Sequence, residues 1–339
     1  MLMSAHNAET TLRRAVESVQ NQTMHDIELV VVEPASEDGT GRMLDVASER
    51  DIRVVVQHVP ACSRETALDL ALDRARGDYL LVMDADGWYE PTYVQKLVSL
   101  AEKNHSQLVV GGFSAEVVMP RRTVELDCDD EEKVYFLQHD FRSEAWRHFS
   151  TGRLAPASAK LFERARAVEV GCRFDSGTGD DHSFSMSYLR DVERVSFGGS
   201  GYRVSRALGE KVGVDAADEL FGRVEAAYDQ IRSLYVDWGF EGDPASMGTL
   251  QSRYIEMLSL CVEMACAEGG EAARALVGRM IGGERAQFAA SVAQPRDNAS
   301  RALIGPIKSQ NVQMAMVQAR LLSMVRRGAP ATLTPDAFI

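Results

Sequence analysis

Tyr79-Leu80-Leu81-Val82-Met83-Asp84-Ala85-Asp86-Gly87-Trp88 runs from an unbroken apolar stretch straight into two carboxylates one residue apart. The apolar half reads as a buried strand of the kind found inside a parallel sheet. In extended backbone, residues i and i+2 point the same way, so Asp84 and Asp86 can face one cation together. A hard divalent ion such as Mg²⁺ or Mn²⁺ takes oxygen ligands, often one or two carboxylates plus substrate phosphates. The same two residues equally suit a solvated turn that caps the helix beginning near Pro91. The flanking sequence decides between these uses.

Upstream, Ile27-Glu28-Leu29-Val30-Val31-Val32 is a second near-continuous apolar strand, ending in the turn-rich Glu33-Pro34-Ala35-Ser36-Glu37-Asp38-Gly39. A helix follows through Met43, Leu44, Val46 and Ala47, then a strand over residues 53–57 and a helix over about residues 63–76. At the beginning, Met1-Leu2-Met3 reads as the end of a strand before Ser4-Ala5-His6-Asn7. Residues 8–22 then put Leu12, Ala15, Val16 and Val19 on one helical face. So short a strand in a central position leaves ladder groups in need of partners. Downstream come a helix over 91–103 and a strand over 107–112. Strands alternating with helices at this spacing predict βαβ units and an α/β fold with a mostly parallel, Rossmann-like sheet flanked by helices. Ligands of such sheets bind beyond the carboxyl ends of the strands, where Asp84, Asp86, Glu33, His6 and Asn7 all fall.

The later sequence is less regular. The acidic run over residues 125–132 lacks periodicity and reads as a solvated loop. Ala159-Lys160-Leu161-Phe162 reads as a strand or turn before a short helix. Gly177-Thr178-Gly179-Asp180-Asp181 sets two adjacent carboxylates in pliable backbone before a helix reaching about residue 190, where helix N-capping is the plain structural use of an Asp. From about residue 212 apolar residues repeat only at helical spacing, as in Leu220, Val224, Ala227, Ile231 and Leu234. The division expected is a catalytic domain over 1–211 and an all-helical region over 212–339.

A chain of 339 residues can hold one large α/β domain and a smaller one. Its net charge of −13 argues against broad nucleic-acid binding, which depends on Lys and Arg neutralising phosphates. Five cysteines, odd in number and without a Cys-x-x-Cys pair, fit reduced thiols better than a disulfide framework or a zinc site. No apolar run approaches the roughly 20 residues of a membrane span, and no signal peptide opens the sequence. The expectation is a cytoplasmic protein whose Met-rich helical stripes are most simply helix-packing surface, the alternative being contact surface for self-association or for a peripheral place at the inner face of a membrane. Gly39-Thr40-Gly41 follows a strand and opens a helix, as a dinucleotide fingerprint does. However, Leu44 stands at the third glycine position, and Glu33, Glu37 and Asp38 would repel a pyrophosphate there. Gly198-Gly199-Ser200-Gly201 also lacks the third glycine.

Several segments together resemble the family 2 glycosyltransferases, in order and over roughly residues 2–208. They are Asn7-Ala8-Glu9, Ser18-Val19-Gln20-Asn21-Gln22-Thr23, Glu28-Leu29-Val30-Val31-Val32-Glu33, Ser36-Glu37-Asp38-Gly39-Thr40, Arg64, Ala75-Arg76-Gly77-Asp78-Tyr79 and Asp84-Ala85-Asp86-Gly87-Trp88. Lys160-Leu161-Phe162, Phe174-Asp175, Gly179-Asp180-Asp181 and Tyr202-Arg203-Val204 continue the match. The resemblance implies a GT-A fold, an inverting mechanism, a nucleotide-sugar donor (UDP-linked by default) and Mg²⁺ or Mn²⁺ at the Asp-x-Asp. It implies that Asp86 ligates the metal and that Asp84 contacts the ribose or the metal shell. Arg64 would lie near the nucleotide, and Glu33 in the place of a uridine-binding Asp. Asp181 would be the base for the acceptor hydroxyl, ahead of Asp180. The acceptor would be a glycan or lipid-linked hydroxyl in surface polysaccharide synthesis. Glu33-Pro34-Ala35-Ser36 departs from the family's Asp-Asp-Gly-Ser, and Ser63-Arg64-Glu65-Thr66-Ala67 from its Ala-Arg-Asn-x-Gly. The altered Glu33-Pro34-Ala35 loop and the shortness of the first strand motivate the rival reading, a catalytically degenerate nucleotide-sugar-binding or scaffold protein on the same fold.

Overall fold

The computed structural model describes residues 1–119, 122–128, 132–174, 181–207, 213–267 and 269–325. The chain opens with β1 (Leu2–Ser4), α1 (Leu12–Gln20), β2 (Leu29–Pro34), α2 (Thr40–Arg50), β3 (Val54–Val59) and α3 (Arg64–Arg74). The three strands pair in parallel in the order β1-β2-β3, with Met3 beside Val31 and Val31 beside Val56. Leu29 to Val32 are at most 1% exposed, so β2 is covered on both faces, as its unbroken apolar run requires. Although β1 has only three residues, it has partners on both sides. The Val30 N–H donates to the Met1 carbonyl at 2.9 Å and the Met83 N–H to the Leu2 carbonyl at 3.1 Å.

Next come β4 (Tyr79–Leu81), β5 (Gly87–Tyr89), α4 (Tyr93–Asn104), β6 (Leu108–Met119), β7 (Arg122–Cys128), β8 (Lys133–Tyr135) and α5 (Gln138–Ser150). They are followed by β9 (Lys160–Glu163), α6 (Arg164–Glu169), α7 (His182–Leu189) and β10 (Val195–Ala207). The strand order is β4-β9-β6-β10-β5, with β7 added to β6 and β8 to β10. Only β6 and β10 run parallel here; the other pairs are antiparallel. Val82 joins the two sheets through parallel bridges to Leu2 and Ser158. The parallel expectation thus describes β1–β3 and the Val82 junction, and antiparallel strands extend the layer beyond it.

The acidic stretch is a correction. Its residues 125–128 belong to β7, antiparallel to β6, rather than to a loop. The cause is the length of β6, which continues past Gly112 to Met119 and offers an edge to pair with. Glu125 and Asp127 stay exposed on that edge strand, so pairing buries neither charge.

The remaining elements are helices: α8 (Val214–Asp237), α9 (Pro244–Cys266), α10 (Gly270–Gly282), α11 (Glu284–Val292), α12 (Asn298–Lys308) and α13 (Val312–Val325). The fold divides into two compact units, one with residues 1–144 and 151–207, the other with 145–150 and 213–325 among the described residues. In the helical unit α8 packs along α9, and Leu234, Ile255, Leu258, Cys261, Val277 and Ile281 form its core. Asp243 caps α9 by accepting from the Ser246 N–H at 2.8 Å, with Pro244 in the first turn, where its missing N–H costs nothing. Among the described residues, no helix is long and apolar enough to cross a membrane.

Candidate active site

The strand that opens the site ends as its sequence requires, but the carboxylates do not lie on extended backbone. Asp84-Ala85-Asp86-Gly87 is a turn, closed by the Gly87 N–H on the Asp84 carbonyl at 3.0 Å. The period-two argument for a shared direction therefore does not apply; the turn itself sets both carboxylates at the strand end. Asp84 is 7% exposed, and Asp86 is half-buried. Gly87 is a glycine for a local reason: a Cβ there would lie 2.6 Å from the Tyr202 hydroxyl. That hydroxyl reaches across Gly87 to donate to Asp84 Oδ2 at 3.0 Å, and Ser158 Oγ donates to the same oxygen at 3.3 Å.

Tyr202 reaches this place because β10 is irregular just before it. Its register against β6 shifts twice between Phe197 and Tyr202, across Gly198, Gly199 and Gly201 at φ values of 142°, 81° and 141°. These are conformations open to glycine, and a bulge of this kind re-aims the side chain that follows. The Gly-Gly-Ser-Gly stretch thus serves strand geometry and not phosphate binding.

Arg64 is the first residue of α3, whose N-cap Ser63 accepts from the Thr66 N–H at 3.1 Å. Its guanidinium donates to Asp84 Oδ1 at 2.6 Å and to Asp181 Oδ2 at 3.1 Å. Burial opposes the charge on Arg64, but the two carboxylates outweigh it and raise its pKa further. Asp181, 5% exposed, occupies the N-cap position of α7 without capping it. Its Oδ1 instead accepts from the Ala157 N–H at 3.2 Å. The plain use of this Asp, helix capping, is therefore absent, and its carboxylate points to the Arg64 cluster. Asp180 lies outside the described residues.

A second group forms at the ends of β1 and β2. Asn7, left-handed at φ 48°, donates its N–H to Ser36 Oγ at 3.1 Å, and its Oδ1 accepts from the Glu37 N–H at 2.9 Å. His6 Nδ1 lies 3.0 Å from the Pro34 carbonyl. Glu33 is 5% exposed; the Ser36 N–H donates to one of its oxygens, and His58 Nδ1 meets the other at 2.8 Å. Burial alone would raise the Glu33 pKa, but hydrogen bonds from His58 and Ser36 bring it below the ordinary value. The same bond to Glu33, joined by Asp45 Oδ1 at 3.0 Å from Nε2, raises the pKa of His58. The sequence reading missed His58, yet the parallel register sets it directly beside Glu33. The decoy glycines of α2 are also explained. Glu9 Oε2 accepts from the Gly39 N–H and Asp38 Oδ1 from the Thr40 N–H, so these amides are occupied by the chain's own carboxylates.

Residues 1–166 match the family described as Glycosyl transferase family 2. This part of the chain belongs to that family. The putative glycosyltransferase EpsH of Bacillus subtilis (strain 168) is 27% identical over 158 residues, which are 45% of this chain and 45% of EpsH. The chain thus spans about half the length of that relative. The crystal structure of S. aureus TarS 1-349 has a TM-score of 0.62 at 14% identity, covering 96% of this chain and 90% of that one; its complex with UDP-GlcNAc has 0.58. The mannosyltransferase PcManGT from Pyrobaculum calidifontis, in complex with GDP-Man and Mn²⁺, has 0.50 at 16% identity and covers 96% of this chain and 86% of that one. At these identities the solved structures speak for the fold alone, and that fold is GT-A.

Within the family 2 domain, the described residues contain no cluster of three or more His, Cys, Asp or Glu side chains that could hold an ion by themselves. Two hard carboxylates in one turn nevertheless fit Mg²⁺ or Mn²⁺, which completes its shell with water and substrate phosphate. Asp84 has both oxygens engaged, by Arg64 on one and by Tyr202 and Ser158 on the other, and so is fixed in place. Asp86, two residues on, is half-buried, with one carboxylate oxygen shielded from solvent. Of the residues singled out from sequence, Arg64, Asp84 and Asp181 meet in one cluster, while His6, Asn7 and Glu33 form the other. Tyr202 and Ser158 were missed as site residues; Gly87, small where Tyr202 must pass, was the signal for the first.

Proposed function

We propose that this chain is a metal-dependent inverting glycosyltransferase. It would move a sugar from a nucleotide-diphosphate donor, UDP-linked by default, to a hydroxyl of a glycan or lipid-linked acceptor in surface polysaccharide synthesis. The observation that carries the reading is the Arg64 bridge from Asp84, within the family 2 match, to Asp181, which lies beyond its end at residue 166. One guanidinium ties the Asp-x-Asp turn to a distant carboxylate that has left its capping role.

Transfer with inversion needs a stabilised leaving group on one side of the sugar and an activated nucleophile on the other. Asp181 would take the proton of the acceptor hydroxyl as its oxygen bonds to the anomeric carbon and the bond to the diphosphate breaks. Arg64, held to Asp84, would turn positive charge toward the departing diphosphate. Asp86, with Asp84 behind it, would hold Mg²⁺ or Mn²⁺, which when bound supplies Lewis-acid neutralisation of that diphosphate. His6, Asn7 and Glu33 would border the nucleotide.

The test is hydrolysis of a panel of UDP-sugars with Mn²⁺, water standing in for the acceptor. The wild-type chain is expected to release UDP, and Asp181→Asn to lose this by about 10²-fold or more. Turnover by Asp181→Asn at the wild-type rate would remove Asp181 from the chemistry. No release of UDP from any donor by the wild type would favour the degenerate, binding-only reading.

A further inference from the structure

Lys160 opens β9 with 1% of its surface exposed, and the mechanism above gives it no role. Its ammonium donates to the carbonyls of Pro156 and, at 3.4 Å, Ser158. Between these carbonyls lie two groups that touch the site. The Ala157 N–H holds Asp181 Oδ1, and Ser158 Oγ holds Asp84 Oδ2. One side chain therefore ties both ends of a three-residue segment that contacts both carboxylates.

The segment needs such a tie. Residues 153–157 belong to no helix or strand. Beyond them, the bridge of Ser158 to Val82 and the Gly111 N–H on the Ala159 carbonyl at 2.8 Å anchor the C-terminal side. Pro156 has no N–H to give, so its carbonyl is its backbone's means of attachment. Burial works against a charge here, so the amine holds the segment through its donors. Burial pulls the Lys160 pKa down to about 7, with Arg153 adding to the fall and Asp181 opposing it. Loss of this buried amine would remove both of its bonds to the segment that holds Asp181 and Asp84.

We infer that Lys160 is a positioning residue of the site, setting residues 156–158 so that the Ala157 N–H and the Ser158 hydroxyl fix Asp181 and Asp84 for transfer. The inference rests on the reading of those two carboxylates as the reacting and donor-side groups.

The experiment compares the full chain with its Lys160→Met and Lys160→Arg variants by hydrogen exchange and by UDP-GlcNAc hydrolysis. In Lys160→Met, the amides of residues 157–159 are expected to exchange at least about tenfold faster, with β2 unchanged. Its kcat should fall about tenfold or more while KM for the donor stays within about threefold, and Lys160→Arg should recover part of kcat. Unchanged exchange at 157–159 would overturn the inference. So would loss of protection spread equally over β2, or a fall in kcat that only follows a fall in Tm, since either marks a general structural role. If Lys160→Met yields no folded protein, the same readings are taken on Lys160→Gln, which keeps one donor without the charge. A wild-type chain that turns over no UDP-sugar sinks the transfer reading alone. The exchange result still decides whether Lys160 sets the segment.

Discussion

Arg64 is the residue on which the site's electrostatics turn. Two carboxylates that are 7% and 5% exposed share its guanidinium, so removing it leaves both charges without their shared partner. Breaking a buried ion pair costs roughly 3–5 kcal/mol. With 35% of the Arg64 side chain exposed, Arg64→Met should cost about 2 kcal/mol, read from urea unfolding. A loss under about 0.5 kcal/mol would mean that water, not Arg64, balances the pair. Ala35 is a smaller residue-scale case. It is left-handed at φ 50°, in the position where the family carries Gly. A side chain there costs about 1–2 kcal/mol, of which the extra chain freedom of glycine offsets part, so Ala35→Gly should raise stability by roughly 0.5–1 kcal/mol. A lower Tm for that variant would refute the strain. His58 and Glu33 predict a pH dependence. The raised His58 pKa contributes stability fully below its unfolded value of 6.5, lost as pH rises through the folded one. The lowered Glu33 pKa contributes stability fully above its unfolded value of 4.5, lost as pH falls through the folded one. The Tm gap between wild type and His58→Gln should thus be widest between those two values and narrow toward alkaline pH. A gap constant with pH would show that His58 acts by packing alone.

At the scale of elements, what was legible in the sequence and what was not divide along physical lines. The strands ending at Glu33 and at the Asp-x-Asp turn were readable because burial on both faces demands continuous apolar residues. Helix α7 was readable too, but not the use of Asp181 just before it: an Asp at an N-cap looks the same whether it caps or turns away. Only the placement of Ala157 and Arg64 tells the two apart. The β10 glycines resembled part of a phosphate loop and proved to be a bulge, since a bulge's partner strand, here β6, is far away in sequence. β7, the hairpin partner of β6, was hidden for a different reason: the charges of an exposed edge strand mask its pairing. The bulge carries a prediction through the Tyr202–Gly87 approach. In Gly87→Ala the new Cβ would overlap the Tyr202 ring, so Tyr202 must leave Asp84 or β5 must shift from β10. Overpacking of this kind costs roughly 1–3 kcal/mol. Thermal unfolding of Gly87→Ala that matches the wild type would show that β5 yields freely.

For the whole molecule, the family 2 domain and its GT-A fold were legible because several motifs occur in one order, and no single motif would have sufficed. The helical unit was legible as helices and no further; apolar residues at helical spacing say that a face is buried, not what it serves. The proposed activity belongs to the first unit, where the Asp-x-Asp turn, Arg64 and Asp181 come together. Binding of UDP by calorimetry, with and without Mn²⁺, on wild type and on Asp84→Ala and Asp86→Ala, tests that claim most directly. The account predicts that Mn²⁺ tightens UDP binding to the wild type by about tenfold or more and that both variants lose this gain. UDP bound by the variants as tightly as by the wild type with Mn²⁺ present would contradict it.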